Sequence, residues 1–154
     1  MAVPNVRPAK VSDSGPLAPM RAMLWPDATP EEHRREIEAA IRSGMHGTLP
    51  MVILVACEAD GTLTGFVEVG LRSHADGCDP ARPVGFVEGW FVLEAFRHRG
   101  FGRNLMRAAE DWARAQGCRE MASDTWIDHQ DSQRVHLALG FEIVDRCVNF
   151  RKPL

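Results

Sequence analysis

The segment spanning residues 84–103 constrains the fold of this chain more than any other. It opens with an apolar run, residues 84–93, of the length and composition of a buried strand. A short basic stretch with two glycines follows, and from residue 101 the apolar positions recur at helical spacing. The pattern predicts a central strand joined by a tight connection to an amphipathic helix over residues 100–116.

The connection itself has the composition of an anion-binding site. Gly100 and Gly102 allow the backbone to approach a ligand closely, and the unpaired N–H groups of the first helical turn favour negative charge. Arginines around those N–H groups pair well with phosphate oxygens. We therefore predict a pyrophosphate site formed by Arg97, His98, Arg99, Gly100, Phe101, Gly102 and Arg103.

Two other phosphate-binding motifs do not fit the same residues. A mononucleotide P-loop ends in Gly-Lys-Ser/Thr, whereas this run ends in Gly102-Arg103-Asn104. A dinucleotide fingerprint requires a third glycine where this chain has Leu105. A solvated basic loop is the remaining alternative, because a short pattern of this kind also occurs by chance.

The remaining segments predict a single α/β domain over residues 1–154. We expect strands near residues 6–9, 51–57, 63–71, 84–93, 120–125 and 141–150, and helices near residues 13–24, 29–44, 100–116 and 128–140. The first helix should bury Leu17, Met20, Met23 and Leu24. The order β-α-α-β-β-β-α-β-α-β predicts a central mixed sheet with helices on both faces.

The spacing Arg97-x-x-Gly100-x-Gly102, in this element order, resembles the acyl-CoA-binding motif of the GCN5-related N-acetyltransferases (GNAT). The resemblance implies the GNAT acyl-CoA N-acyltransferase fold, acetyl-CoA as cosubstrate, and binding of its pantetheine arm along Trp90, Phe91 and Val92. Acetyl transfer from a thioester needs no covalent enzyme intermediate and no metal, only positioning and proton removal. An alkylammonium, with an ordinary pKa of about 10.4, must lose a proton before it attacks.

Two carboxylates are candidates for handling that ammonium. Glu88 lies mid-strand among apolar neighbours, where a charge is costly unless it is paired or faces a cleft. It either forms a salt bridge with an arginine or accepts the proton of the amine, directly or through water. Asp124 ends the next predicted strand, at the sheet edge where ligands bind, unless it only caps a turn or a helix.

His136, four residues before Gly140, is a third candidate. Many members of the family that the chain resembles carry a tyrosine there, which protonates the departing thiolate, and this chain contains no tyrosine. His136 either takes over this role, by hydrogen bonding to the sulfur or donating a proton, or it packs as an ordinary helix residue.

Longer segments are similar to the aminoglycoside 6′-N-acetyltransferases over almost the whole chain. They are Leu24-Trp25-Pro26 and residues 83–92, 117–125, 135–142 and 149–154. The resemblance implies a homodimer that acetylates the 6′-amine of aminoglycosides and confers resistance to them. It also implies an acidic cleft in which the drug contacts Trp25, Glu88, Asp124 and Asp145. His129 stands where relatives have a cofactor-touching asparagine, which implies a cofactor contact.

Two other functions are compatible with the sequence. A related acetyltransferase for a polyamine or a peptide amine would share this site and differ in its pocket. A non-catalytic acyl-CoA-binding protein would keep the basic connection, but it would have no use for Glu88, Asp124 and Asp145.

Composition argues against several other classes of protein. The formal net charge of −3 predicts no nucleic-acid partner. No apolar run approaches the roughly 20 residues of a membrane span, so we expect no membrane association. The first residues lack the apolar core of a signal peptide, and we expect a cytoplasmic protein. The four cysteines show no C-x-x-C spacing, which favours reduced thiols over disulfides or a metal site.

Overall fold

The computed structural model describes residues 5–154, and its centre is a sheet of apolar strands. The strands are β1 (Asn5–Pro8), β2 (Met45–His46), β3 (Leu49–Cys57), β4 (Leu63–Arg72), β5 (Val84–Val92) and β6 (Met121–Ser123). The helices are α1 (Ser14–Leu24), α2 (Pro30–Ser43), α3 (Phe101–Ala115) and α4 (Gln130–Ala138), with 3-10 turns at Val11–Asp13 and Glu94–Phe96. Strands β1, β3, β4 and β5 pair antiparallel in that order, and β6 pairs parallel to β5. The predicted central mixed sheet is confirmed.

The two faces of the sheet bury separate apolar clusters. Because side chains alternate along a strand, Phe66 and Val67 of β4 point to opposite faces. Phe66 packs with residues of α1 and α2, including Leu17 and Ile37. Val67 packs with α3, whose apolar stripe includes Leu105. Helices therefore cover both faces, as predicted.

A β-bulge interrupts the pairing of β4 with β5 beside the predicted site. Glu68 pairs with Gly89 and Val69 with Val87, so Glu88 is the extra residue on β5. On the other side of β5, β6 pairs only with residues 85–87. The two parallel strands thus part after Val87, and residues 88–92 of β5 line a gap in the sheet.

The predicted strand over residues 141–150 is wrong. Residues 141–154 form no regular secondary structure, and within the described chain no backbone–backbone hydrogen bond involves residues 142–154. The apolar pattern of this segment favours an extended strand, but a strand also needs a partner. Strand β6, the edge of the described sheet, is only three residues long and pairs with β5 alone.

Two smaller features of the N-terminal half also differ from expectation. Met23 of α1 is 63% exposed, because the apolar stripe of this helix is centred on Leu17 and Met20 instead. The short strand β2, which pairs with Leu49 and Pro50, was not predicted, since two residues are too few to show a period.

The cysteines of the described chain are free thiols. Cys57 and Cys118 are buried, and burial raises the pKa of both thiols above the ordinary value. They therefore behave as small core residues. No helix within residues 5–154 is long and apolar enough to cross a bilayer, and no three potential metal ligands cluster there.

Candidate active site

The gap between β5 and β6 brings together residues from several parts of the chain. Glu88 lies on β5 at the bulge, and Asp124 follows β6 directly. His136 of α4 contacts Trp90 of β5 and Ser123 of β6, the two strands that border the gap. The predicted adjacency of the Glu88 and Asp124 strands is confirmed by the parallel pairing of β5 with β6.

Glu88 forms a two-pronged salt bridge with Arg72, the last residue of β4. The Nε and Nη2 atoms of Arg72 donate to the two carboxylate oxygens at 3.0 and 2.7 Å. The guanidinium also lies 3.4 Å from the centroid of the Phe86 ring. The salt bridge that we considered from the sequence is therefore present, although the Glu88 side chain remains 20% exposed at the gap.

Trp25 packs on the backbone of Gly89, the residue that follows Glu88. A Cβ atom at Gly89 would lie 2.6 Å from Cζ2 of Trp25, so only glycine leaves room for the indole. His33 holds the main chain of Trp25 through a hydrogen bond of 2.8 Å from Nε2 to the carbonyl oxygen. The guanidinium of Arg21 lies 4.8 Å from the indole centroid.

The guanidinium that lies against Trp25 is part of a buried ion pair between Arg21 and Glu68. Glu68 of β4 is only 5% exposed, and Arg21 Nε donates to it at 2.7 Å. Burial raises the pKa of Glu68, and the charge of Arg21 partly offsets this effect. Burial alone would lower the pKa of Arg21, but Glu68 and Glu36 together raise it above the ordinary value. Arg21 also contacts Glu36 and, at 2.9 Å, Nδ1 of His33.

The connection before α3 and the first turn of this helix, residues 97–103, have the geometry of an anion-binding site, which we call the anion cradle. Gly100 precedes the helix with φ of +88°, a left-handed conformation that favours glycine. The first hydrogen bond of the helix runs from the N–H of Asn104 to the carbonyl of Gly100. The N–H groups of residues 101–103 therefore have no acceptor within the helix. His98 also adopts a positive φ, of 60°, where the connection turns towards the helix.

The arginines of this cradle have different partners. Arg97 donates from Nε to the carbonyl of Val92 at 3.0 Å, which ties the connection to the end of β5. Arg99 donates to Glu58 at 3.0 Å. These contacts leave the cradle basic but fix two of its side chains in place.

The cradle and the gap meet at Trp90. A Cβ atom at Gly102 would lie 2.9 Å from Cζ2 of Trp90, so the indole packs against the first turn of α3. The Trp90 indole N–H is buried and has no acceptor among the described residues. A glycine-lined helix start, unpaired N–H groups and an orphaned donor fit the phosphate and amide groups of an acyl-CoA.

His136 is held in a fixed orientation at the edge of the gap. Its Nδ1 lies 2.8 Å from the carbonyl oxygen of Ser132, and its Nε2 lies 2.9 Å from Oγ of Ser123. Its ring meets the rings of Trp90 and Phe141 edge to face. The residue is both packed and positioned at the end of β6.

The other predicted site residues lie at the rim. Asp124 and His129 are exposed, and His129 directly precedes α4 without a capping hydrogen bond from its side chain. Asp145 is exposed on the C-terminal segment, where its carboxylate accepts a hydrogen bond from the N–H of Arg146. The adjacent Val144 packs against Gly77, so this segment crosses the loop that follows β4.

Several residues that shape the site were not predicted from the sequence. Glu68 carries the same signal as Glu88, a carboxylate between apolar strand residues. Arg72 and Ser123 carry no local signal, because only the register of β4, β5 and β6 shows what they contact.

Fold and site together define an acyl-CoA-dependent N-acetyltransferase. The chain belongs to the acetyltransferase (GNAT) family, whose sequence profile matches residues 17–141. It is 44% identical to aminoglycoside N(6′)-acetyltransferase type 1 of Klebsiella aerogenes, over 98% of this chain and 97% of that protein. It is 40% identical to the protein of that name from Serratia marcescens, over 88% and 89% of the two chains.

Solved structures agree with this assignment. The fold matches that of AAC(6′)-Iy in complex with the bisubstrate analog CoA-S-monomethyl-acetylneamine, with a TM-score of 0.82 and 34% identity over 99% of this chain and 100% of that chain. It also matches AAC(6′)-Ih from Acinetobacter baumannii, with a TM-score of 0.85 and 30% identity over 99% of both chains. The GNAT fold predicted from the sequence is thereby confirmed.

Proposed function

We propose that this protein transfers the acetyl group of acetyl-CoA to the 6′-amine of aminoglycoside antibiotics. The observation that carries the proposal is the contact of Trp90 with Gly102, which joins the anion cradle to the gap beside Glu88. A cosubstrate anchored at the cradle would extend along β5 towards Glu88. The relatives whose names specify this reaction match nearly the whole chain, at up to 44% identity.

Acetyl-CoA supplies an acetyl group already activated as a thioester. The N–H groups of residues 101–103 bind its phosphates, and the cradle arginines add charge. Residues 88–92 of β5 lie beyond the last pair with β6, and an extended arm can pair as an added strand with the gap-facing backbone groups that Arg97 leaves free. Trp90, Phe91 and Val92 therefore act through their main chain, while their side chains pack into the two clusters.

The carboxylates at the gap handle the cationic substrate. Glu88 and Asp124 attract the ammonium group, and Trp25 supplies an apolar wall next to Glu88. A carboxylate has about four lone-pair sites, so Glu88 can accept from Arg72 and from the substrate together. Glu88 takes the first proton of the ammonium, directly or through one water, and Asp124 orients the amine. Asp145 and His129 extend the binding surface at the rim.

A thiol-release assay tests this function and separates it from its alternatives. Purified protein is mixed with acetyl-CoA and, in turn, with kanamycin A, a polyamine and a peptide with a free N-terminus. Thiol release with kanamycin A, and not with the polyamine or the peptide, supports the proposal. Release only with the polyamine or the peptide would indicate a GNAT enzyme for another amine. Binding of CoA in calorimetry with no thiol release from any amine would indicate a non-catalytic acyl-CoA-binding protein.

We also infer that the protein works as a homodimer. The C-terminal segment of residues 142–154 has no regular secondary structure and exposes Ile143, Val144, Val148, Phe150 and Leu154 to solvent. Exposed apolar side chains in a row indicate a protein interface, and a second copy is the partner implied by the family resemblance. Sedimentation should give a dimer for the native protein and a monomer for Val148→Ser/Phe150→Ser. A native monomer would contradict the inference.

We place the reaction in the cytoplasm, where acetyl-CoA is available and the free thiols stay reduced. Its consequence for the cell is resistance. Expression in a susceptible bacterium should raise the inhibitory concentration of kanamycin A, and Glu88→Gln should remove most of the increase. Equal protection by both proteins would contradict a role for this site in resistance.

A further inference from the structure

The hydrogen bonds of His136 fix which of its ring nitrogens carries the proton. The oxygen of Ser132 that lies 2.8 Å from Nδ1 is a carbonyl, which can only accept, so Nδ1 must donate. In the neutral ring Nε2 is then unprotonated and accepts the hydroxyl proton of Ser123 at 2.9 Å. The Ser132 hydroxyl is farther from Nδ1, at 3.4 Å, and does not replace the carbonyl.

This tautomer determines what His136 can do. A neutral ring with an unprotonated Nε2 has no proton to give to a thiolate on that side, so the resting residue is a proton acceptor. The edge-to-face contacts with Trp90 and Phe141 restrain the ring from turning over. The role of the family tyrosine therefore cannot pass directly to His136 as a ready acid.

Ser123 occupies the position from which a proton can be passed on. It pairs with Val87 at the last parallel pair before β5 and β6 separate, and it is only half-buried. Its hydroxyl oxygen retains lone pairs after its proton points to His136. Ser123 thus lies between the imidazole and the gap through which the amine approaches.

We propose that Ser123 and His136 form a proton relay that moves one proton from the attacking amine to the departing sulfur. The proposal rests on the acetyltransferase function above. As the C–N bond forms, Ser123 takes a proton from the amine nitrogen and passes its own to Nε2 of His136. As the C–S bond breaks, His136 returns that proton through Ser123 to the sulfur. The relayed proton is the second one of the ammonium, since Glu88 has taken the first and releases it to solvent. The sulfur gains the relayed proton, and Ser123 and His136 regain their starting state.

The first test reads the tautomer in the protein without substrates. Nitrogen-15 NMR of histidine-labelled protein should show His136 protonated at Nδ1 and unprotonated at Nε2. In Ser123→Ala the Nε2 resonance should shift, because the hydrogen bond is lost, while Ser123→Thr should keep it. Protonation at Nε2 in the native neutral ring would overturn the relay, whatever substrate the enzyme prefers.

The second test measures turnover in the same variants. Acid–base groups contribute about 100-fold or more to rate, so Ser123→Ala should lower kcat by at least that order with little change in either KM. Ser123→Thr should restore most of kcat, and Ser123→Ala/His136→Gln should be no slower than the slower single variant. An unchanged kcat in Ser123→Ala, or an equal loss in Ser123→Thr, would overturn the proposal.

Failure of the relay can be distinguished from failure of the proposed function. If no aminoglycoside is acetylated, the kinetic comparison is made with whichever amine releases thiol. The NMR result requires no substrate at all.

Discussion

The indole of Trp25 packs against the backbone of Gly89, the residue that follows Glu88 on the bulged strand β5. The contact places an aromatic side chain, from the residue that follows α1, next to the strand segment that carries Glu88. His33, Arg21 and Glu68 hold this side chain through hydrogen bonds and a buried ion pair. The helical layer and the sheet are therefore coupled at the point where the substrate is proposed to bind.

Gly89→Ala should weaken aminoglycoside binding more than chemistry. The new Cβ would meet Cζ2 of Trp25 at 2.6 Å and Cδ2 of Leu24 at 3.1 Å, which displaces the indole. We expect KM for the aminoglycoside to rise roughly 10-fold, or about 1.4 kcal/mol, with kcat largely retained. Gly15→Ala is the matched control, since its Cβ would meet nothing within 4 Å. Steady-state kinetics of both variants measure this difference in KM. An unchanged KM in Gly89→Ala would contradict the proposed contact of Trp25 with the aminoglycoside.

The two carboxylates at the gap should differ in kinetic effect. Glu88→Gln should lower kcat and alter the acidic limb of the pH–rate profile, because Glu88 is assigned the first proton. Asp124→Asn should mainly raise KM, by about 1–3 kcal/mol, the scale of a lost charge-assisted hydrogen bond. If Glu88→Gln keeps the native kcat and pH profile, Glu88 only binds, and Asp124 or ordered water removes the proton.

The buried pair Arg21–Glu68 should stabilise the fold only while both partners are present. Arg21→Met leaves the buried Glu68 carboxylate unpaired and should cost about 3–5 kcal/mol in free energy of unfolding. Glu68→Leu should cost less, because Arg21 keeps its ion pair with Glu36. The double variant should recover much of this loss, since it leaves neither charge alone. Urea unfolding of all four proteins measures the coupling. Simply additive losses would show that the pair does not act as a unit.

Asp13 should make stability depend on acid pH. Arg7 donates to both carboxylate oxygens at 2.7 and 3.0 Å, and with the N–H of Lys10 it lowers the pKa of Asp13. The unfolded carboxyl, with a pKa of about 3.9, then binds its proton first as the pH falls. The stabilisation is complete above that value and is lost as the pH falls through the folded pKa.

Asp13→Asn tests this dependence. The stability difference between the native protein and the variant should be about 1–3 kcal/mol near neutrality and should shrink steadily below about pH 4. Denaturant melts at several pH values give this difference directly. A difference that stays constant down to the lowest pH would show that Asp13 stabilises by packing alone.

Local patterns in the sequence were sufficient for much of the fold. The helix predicted near residues 29–44 is present as α2, and its start is set locally by Pro30 and by a complete capping box between Thr29 and Glu32. The pattern of residues 84–103 likewise predicted β5, the cradle and α3. The conformation of these three features depends mainly on residues that are close in sequence.

Features that depend on distant pairing could not be predicted in the same way. The partner of Glu88 is Arg72, sixteen residues earlier, and their contact requires the bulged register of β4 with β5. Likewise, the apolar pattern at residues 141–150 predicted a strand, yet no neighbouring strand within the described chain pairs with it. Periodicity reports which residues favour an extended backbone, but it does not report whether a partner is present.

Determining the position of the acetyl group on the product tests the central claim most directly. Kanamycin A treated with acetyl-CoA and the protein should carry one acetyl group on the 6′-nitrogen, located by mass spectrometry and two-dimensional NMR. An aminoglycoside with a 6′-hydroxyl in place of the amine is the control and should not react at that position. Acetylation of kanamycin A at any other nitrogen, or no acetylation at all, would contradict the proposed function.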